Sequence, residues 1–209
     1  MFEGKSVLDI IQIGGFTMYV LILCSIASVT VIVERLLAFR AKTRKGRGEF
    51  MDGIGATLGE GNIAGAQAIC AAAKTPFANV VMAGLAARER GAEKIANSMD
   101  RRITVEVKDL ERSLSILGTI GSTVVYVGLF GTVLGIIRSF QEIAGSAGGQ
   151  GGMDTVIAGI AEALICTAAG IFVAVPAVAA YNLLTKRVEN LTTDMELVAS
   201  ETADLLAKD

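Results

Sequence analysis

Hydrophobic residues in this chain are concentrated in three long runs separated by polar segments. The run at residues 10–33 carries no charge, and the run at residues 113–140 carries only Arg138, near its end. The third run, residues 155–185, is interrupted by one charged residue, Glu162. At about 1.5 Å of rise per residue, each run is long enough as a helix to cross a hydrocarbon core about 30 Å thick. The pattern therefore predicts an all-α membrane protein with three transmembrane helices.

The polar segments between the runs predict how the chain is oriented. Lys and Arg in short flanking segments are retained on the cytoplasmic side of a membrane. Six basic residues follow the first run within residues 34–47 and two directly follow the third, whereas residues 141–154 contain none. We predict a retained first span, a periplasmic N-terminus and a cytoplasmic C-terminus. The predicted segments outside the spans are an external N-terminus (residues 1–9), a cytoplasmic helical region (34–112), a periplasmic turn (141–154) and a cytoplasmic C-terminal helix (186–209).

Helix-capping residues occur in the predicted cytoplasmic region. Asn62 is a suitable N-cap for a helix through Ala73. Thr75 followed by Pro76 is a suitable start for a second helix, through about Arg90. The region is therefore predicted to contain short helices.

Two helices are predicted to extend beyond the bilayer as long cytoplasmic extensions. From about Ala92 no helix breaker occurs before the turn, so one helix of roughly 45–50 residues is predicted to run into the second span. The third span is predicted to continue as an amphipathic helix whose apolar stripe is interrupted by Thr202. This stripe either packs within one subunit or is shared between subunits. Its residues are Val188, Leu191, Met195, Val198 and Leu205.

Composition supports the membrane class and argues against several functions. Hydrophobic residues make up 52% of the chain, and 24 glycines accompany only two prolines, which is typical of closely packed helices in lipid. The net charge of −2 gives no reason to expect nucleic acid as a partner. No histidine is present, so the commonest general base and metal ligand is missing, and we expect neither an enzyme nor a bound metal. The three cysteines, Cys24, Cys70 and Cys166, are expected to be unpaired.

Glu162 is the first candidate for function. A charged residue inside a bilayer costs at least about 2.5 kcal/mol on insertion scales, so its presence suggests a role in ion movement. Counting from the ends of the runs places Thr132 at a similar depth on the second span. Thr167 lies five residues after Glu162, about 140° around the helix, so the two cannot share one narrow face. Alternatively, Glu162 is a hydrogen-bonded structural group.

Small residues in the second and third spans are candidates for helix packing. Gly131 and Gly135 form a GxxxG pair, and Gly159, Ala163 and Thr167 form a row at a spacing of four. Such residues let two helix backbones approach closely. They are predicted to lie at helix contacts.

Three further residues have predicted structural roles. Pro176 removes one helix hydrogen bond and is expected to bend the third span, or to lie in it passively. Glu34 and Arg35 are expected to pair at the inner membrane interface, where the basic residues that follow lie near anionic lipid headgroups.

Two sequence segments resemble a known family. The segment GLFGTVLGI, residues 128–136, and the segment GIAEALICTAAGIFVAVPAV, residues 159–178, resemble the paired signature of the ExbB/TolQ/MotA proton-channel family. The ERL triplet at residues 34–36 and TPFANVVMAGL at residues 75–85 are similar to the ExbB/TolQ branch. Leu134 stands where a Trp often follows GTV, and Ala158 where a Pro often precedes GIAEAL, so the sequence leaves the branch open.

The resemblance implies a motor in the bacterial inner membrane. It implies a homopentamer that encloses a dimer of an ExbD/TolR-like single-span protein, whose Asp enters the pore. Thr132 and Thr167 would line that pore and Glu162 would support proton passage. The transported ion would be the proton, with no cofactor. Work would pass to a TonB-like protein for outer-membrane transport, or to a TolA-like protein.

Alternatives remain within and outside this class. A TolQ-like role in envelope constriction and a gliding or flagellar stator are the alternatives within it. A passive membrane scaffold, in which Glu162 only fixes helix packing, is the alternative outside it. Nucleotide-driven work is not expected because the chain contains no phosphate-binding loop of the GxxxxGK type.

Overall fold

The computed structural model describes residues 15–42, 46–145 and 152–207. The predicted external N-terminus, the first residues of span one (10–14) and much of the periplasmic turn (146–151) lie outside the described residues. Within the described ranges almost every residue is helical and none lies in a strand. The prediction of an all-α fold is confirmed.

Seven α-helices follow one another in the described part of the chain. Three of them, α1, α6 and α7, are long and apolar enough to cross a membrane, in agreement with the three predicted spans. The others are shorter, and a 3₁₀ turn, Arg88–Arg90, follows α4. The helices are α1 (Gly15–Lys42), α2 (Arg47–Gly59), α3 (Ile63–Ala73), α4 (Pro76–Ala87), α5 (Ala92–Glu111), α6 (Leu114–Gly145) and α7 (Gly152–Leu206).

The predicted capping residues begin the helices as expected. The Asn62 side-chain oxygen accepts a hydrogen bond from the Gly65 backbone N–H at 2.8 Å, and α3 ends at Ala73. The Thr75 hydroxyl oxygen accepts from the Ala78 N–H at 3.3 Å at the start of α4. Helix α4 itself ends before the predicted residue, because the last turn tightens to 3₁₀ geometry.

The prediction of one continuous helix from Ala92 into the second span is wrong. Helix α5 ends at Glu111 and α6 begins at Leu114. Arg112 has an extended backbone, with φ −50° and ψ 133°, and Ser113 is left-handed, with φ 70°. Ser113 adopts this conformation although it costs a residue other than glycine roughly 1–2 kcal/mol. The sequence has no glycine or proline at this position that would have indicated the break.

The chain divides into two compact units. The first unit contains residues up to Val33 and Ser113–Asn182, and the second contains Glu34–Arg112 and Leu183–Asp209. The first unit is a bundle of the apolar parts of α1, α6 and α7 around a small core. That core is formed by Met18, Leu21, Ile120, Val124, Val173, Ala174 and Ala177.

Helices α6 and α7 pack closely and antiparallel in the first unit. A Cβ atom on Gly135 would lie 2.6 Å from the Cβ of Ala163, and one on Gly128 would lie 2.7 Å from the carbonyl oxygen of Cys166. Further along, a Cβ on Gly121 would lie 2.6 Å from a methyl group of Val178. Any side chain larger than hydrogen at these glycines would force the two backbones apart.

The second unit buries the apolar faces of α2 to α5 together with the C-terminal part of α7. Phe50 of α2 packs against Phe77 of α4 with ring centroids 6.4 Å apart. The predicted C-terminal stripe is buried except for Leu205, which is half-buried, and Thr202 is fully buried with it. Of the two alternatives for this stripe, packing within one subunit is the one observed.

Two charged side chains are buried in the second unit. Glu106 is 4% exposed, and its carboxylate accepts hydrogen bonds from Asn79 Nδ2 at 2.8 Å and from the Arg102 guanidinium at 2.5 Å. Arg35 is 9% exposed; it pairs with Glu34 at 2.6 Å and donates to the carbonyl oxygen of Asp109 at 3.4 Å. These contacts fix the unit internally, because a buried charge that loses its partner is strongly destabilising.

Replacing Gly135 by Ala should destabilise the protein, because the new methyl group would overlap Ala163. Overpacking of this kind costs about 1–3 kcal/mol. Gly55, in the middle of α2, has no atom within 4 Å of its Cβ position, so Gly55→Ala should instead stabilise its helix by roughly 0.5–1 kcal/mol. Thermal unfolding of both variants in one detergent measures the difference. An unchanged melting temperature for Gly135→Ala would contradict the close packing.

The Cys70 thiol should stay unreactive in the folded protein. Burial raises its pKa from 9.0 to about 11, so the folded state favours the protonated form. The folded state therefore carries no penalty from this group below pH 9, and it loses stability as the pH rises from about 9 to about 11. We expect slow alkylation by iodoacetamide at pH 8, measured by mass spectrometry, and fast alkylation after unfolding. Equal rates in both states would refute the burial of this thiol.

Candidate functional site

Two hydroxyl groups meet where α6 packs on α7. The Oγ1 atoms of Thr132 and Thr167 lie 2.5 Å apart, so one hydroxyl donates to the other. Thr132 Oγ1 also lies 3.1 Å from the carbonyl oxygen of Ala163 and 3.2 Å from that of Gly128. Close packing at Gly128 brings the α7 backbone within reach of these side chains. The pair is partly buried and held by its own subunit.

The predicted depth of Thr132 is wrong. Thr132 lies level with Thr167, and Gly135 is the α6 residue that lies against Ala163, next to Glu162. Glu162 is therefore about one helical turn from the hydroxyl pair, on the side towards the connection between α6 and α7. The prediction assumed that α6 and α7 align at the ends of their apolar runs. Their alignment is set instead by close contacts at small residues, such as Gly135 against Ala163.

Glu162 is half-buried and lines a cavity of about 490 Å³ in the first unit. The cavity lies between α1, α6 and α7. Other polar groups share it, among them a second carboxylate and a guanidinium. The described lining residues are Gly15, Phe16, Thr17, Gly131, Leu134, Gly135, Arg138, Ser139, Glu142, Gly159, Glu162, Ala163 and Cys166.

An ion pair lies at the exposed side of this cavity. Arg138 Nε lies 3.3 Å from a carboxylate oxygen of Glu142, one turn further along α6, and both side chains are more than half exposed. An exposed pair of this kind contributes little to stability. Its charges therefore act on the cavity mainly through the local electrostatic potential.

The small residues of the predicted packing rows surround the same cavity. A Cβ on Gly159 would overlap the Ser139 hydroxyl, and one on Gly131 would lie 2.6 Å from Thr17 Oγ1. Ala163 is 4% exposed. Small side chains at these positions both allow the helices to touch and leave the cavity open beside Glu162.

Thr17 is a polar residue that was not predicted to belong to the site. It lies in the first span, is 5% exposed, and its hydroxyl oxygen lies 3.6 Å from the Cys166 sulfur. A single Thr in an apolar run satisfies its hydroxyl on a preceding carbonyl in most helices. Only the packing of α1 against Gly131 reveals that Thr17 reaches the Glu162 cavity.

The remaining predicted residues lie apart from this site. Helix α7 continues through Pro176, which is exposed. Glu34 and Arg35 form the predicted pair, but the Arg35 side chain is directed into the second unit and not outward. Their location at a membrane interface stays a prediction. Among the described residues, no group of three or more His, Cys, Asp or Glu is arranged to hold a metal ion.

Comparison with known proteins gives several bacterial relatives. The chain is 52% identical over 99 residues to the Tol-Pal system protein TolQ of Pseudomonas aeruginosa, a match covering 47% of this chain and 42% of that protein. It is 40% identical over 108 residues to the biopolymer transport protein ExbB of Neisseria gonorrhoeae, covering 52% and 46%. It is 34% identical over 117 residues to ExbB of Pseudomonas putida, covering 56% and 35%. The matched region spans less than half the length of each relative.

A family model matches a longer part of the chain. The model of the MotA/TolQ/ExbB proton channel family matches residues 72–197, which include Glu162 and both members of the hydroxyl pair. This match covers more than half of the chain and agrees with the sequence signatures in α6 and α7. The chain belongs to the MotA/TolQ/ExbB proton channel family.

Proposed function

We propose that this chain is the proton-conducting subunit of an inner-membrane motor that converts proton motive force into work on the cell envelope. The observation that carries the proposal is the position of Glu162, which lines a polar cavity one turn from the Thr132–Thr167 pair. A carboxylate inside a span is costly to insert and is usually retained for ion or proton movement.

The proposed path uses groups that can exchange protons without leaving their positions. Glu162 takes up a proton on one carboxylate oxygen and releases it again, which changes its charge but not its place. Each threonine hydroxyl both donates and accepts, so the pair can pass a proton when a neighbouring donor and acceptor are available. The hydrogen bond between Thr132 and Thr167 keeps both oxygens at a fixed level in the first unit.

The rest of the proposed motor lies outside this chain. A pentamer of the subunit would enclose the single spans of an ExbD/TolR-like dimer, whose Asp would take the proton from the path. Protonation and release of that Asp would move the partner relative to the pentamer. The work would pass to a TonB-like protein for outer-membrane transport.

A TolQ-type role is a second candidate, and one observation favours it. Identity to the Tol-Pal system protein TolQ of Pseudomonas aeruginosa is 52%, against 40% and 34% for the two ExbB proteins. In that case the partner would be TolR-like and the work would pass to a TolA-like protein in envelope constriction. The partner that supports proton flux distinguishes the two roles.

Glu162→Gln should strongly lower proton flux while leaving the complex assembled. Glutamine keeps the shape and hydrogen-bonding capacity of the side chain but cannot titrate. Losing a group that transfers protons typically lowers a rate by a hundredfold or more, so we expect a decrease of at least about tenfold. The measurement is proton uptake into proteoliposomes under an imposed potential, with an ExbD-like partner, a TolR-like partner or neither.

The matched control is Glu196→Gln, which removes an exposed carboxylate from the same helix, α7, outside the predicted span. It should conduct as the unmodified protein does. Flux by Glu162→Gln equal to that of the control would show that Glu162 is not in the path. Absence of flux in every sample, although the complex forms, would favour the passive scaffold.

Thr132→Val and Thr167→Val should each slow proton flux, and the two losses should not add. Valine keeps the branched shape but removes the hydroxyl, which breaks the same hydrogen bond in either variant. A hydrogen bond contributes about 1 kcal/mol net, which corresponds to a roughly fivefold change in rate. Thr132→Ser and Thr167→Ser keep the hydroxyl and should retain most of the flux. Valine variants that conduct like the serine variants would remove the pair from the path.

A further inference from the structure

The cavity that Glu162 lines has an exposed side and a closed end. On the exposed side, Arg138 is 77% and Glu142 54% exposed. Leu134, one turn further in, is 45% exposed and also lines the cavity. The exposed side of the cavity is therefore lined by both charged and apolar side chains, and it faces away from the contact between α6 and α7.

The closed end is formed by residues of all three spans. Thr17 from α1 and Cys166 from α7 are 5% and 2% exposed, and their Oγ1 and Sγ atoms are 3.6 Å apart. Gly131 of α6 lies against both, because a Cβ there would be 2.6 Å from Thr17 Oγ1 and 2.9 Å from Cys166 Cβ. The next residue, Thr132, belongs to the hydroxyl pair. This closed end therefore lies between the cavity and that pair.

Water is the occupant that the lining fits best. A space of about 490 Å³ has room for on the order of ten water molecules. Each ordered water needs two to four polar partners, and the cavity offers a guanidinium, two carboxylates and hydroxyl groups. A lipid acyl chain would leave these charged groups without water, which is unfavourable.

We propose that this cavity is a water-filled vestibule through which protons reach Glu162 from the side of Arg138 and Glu142, and that Thr17 and Cys166 seal its inner end. This inference rests on the proposed proton-conducting function. The basic residues after the first and third spans predict that this side is the periplasm.

The proton balance of this step is simple. A hydrated proton moves along the water of the vestibule by exchange of O–H bonds. The last water gives a proton to a carboxylate oxygen of Glu162, so one O–H bond breaks at water and one forms at the carboxyl group. The contact between Thr17 and Cys166 keeps bulk water out of the inner end, while Glu162 exchanges protons with the water of the vestibule.

The first test compares two neighbouring positions on α6. Leu134 lines the cavity, whereas Val133 is similarly exposed, at 52%, but does not line it. Leu134→Cys and Val133→Cys are made separately in a chain in which Cys24 and Cys70 are replaced by alanine and Cys166 by serine, which keeps a polar side chain of similar size next to Thr17. Each variant is reconstituted into vesicles. A charged, membrane-impermeant methanethiosulfonate is then applied from either side.

We expect Leu134→Cys to react at least tenfold faster than Val133→Cys, and only from the side of Arg138. The lining carries two carboxylates and one guanidinium, so the cationic reagent should react faster than the anionic one, and Arg138→Gln should increase that preference. If both cysteines are unreactive, or react alike, lipid or protein fills the cavity and the proposal is wrong.

The second test uses Cys166 as the only cysteine, with Cys24 and Cys70 replaced by alanine. Cys166 should remain unmodified by the charged reagent, and Thr17→Ala should expose it, because the Thr17 side chain covers the sulfur. Ser28→Ala, which truncates another buried residue of α1, is the control and should leave Cys166 unmodified. Modification of Cys166 with Thr17 intact would overturn the seal.

These measurements are independent of the proposed function itself. Reagent access reports water in the cavity whether or not protons flow. If Leu134→Cys is labelled but proton flux does not depend on Glu162, the proposed motor function is wrong and the vestibule proposal stands. If proton flux depends on Glu162 but Leu134→Cys is not labelled, the motor function stands and the vestibule proposal is wrong.

Discussion

The close antiparallel contact between α6 and α7 is the constraint on which the first unit depends. Gly128 and Gly135 allow the two backbones to approach until glycine hydrogens touch backbone and methyl groups of the other helix. Association of helices in lipid gains little from the hydrophobic effect, so it depends on this kind of packing and on hydrogen bonds between helices. The Thr132 hydroxyl reaches the Ala163 carbonyl only because the backbones are this near.

The same contact explains the shape of the candidate site. Gly131 and Gly135 let one face of α6 pack on α7. The same small residues leave a cavity beside this contact, where α1 approaches. Thr17 closes the inner part of that space, and the charged residues Arg138 and Glu142 border its outer part. Close packing through glycine and alanine thus also positions the Glu162 carboxylate beside a polar cavity.

The second unit is stabilised in a different way. Its helices bury amphipathic faces against one another, as in a water-soluble bundle, and its buried charges are paired. Glu106 is satisfied by Asn79 and Arg102. This multi-pass inner-membrane protein therefore combines one unit that depends on small-residue contacts with another that depends on hydrophobic burial.

Much of this architecture could be predicted from the sequence because its determinants are local. The three apolar runs, the caps at Asn62 and Thr75 and the C-terminal stripe each depend on residues within a few turns of one another. The break at Ser113 was missed because its left-handed backbone has no glycine to mark it. The level of Thr132 and the contribution of Thr17 were missed because they depend on which helix faces pack, and a sequence read one helix at a time does not contain that information.

The separation of Glu162 from the hydroxyl pair has a mechanistic consequence. One helical turn of distance, with Gly131, Thr17 and Cys166 between, separates Glu162 from a pair that is already satisfied by backbone carbonyls. In the proposed mechanism, this separation lets Glu162 load from the vestibule while transfer past the hydroxyl pair waits for an acceptor supplied by the partner. Proton uptake and proton release then become distinct steps, which is what coupling to mechanical work requires.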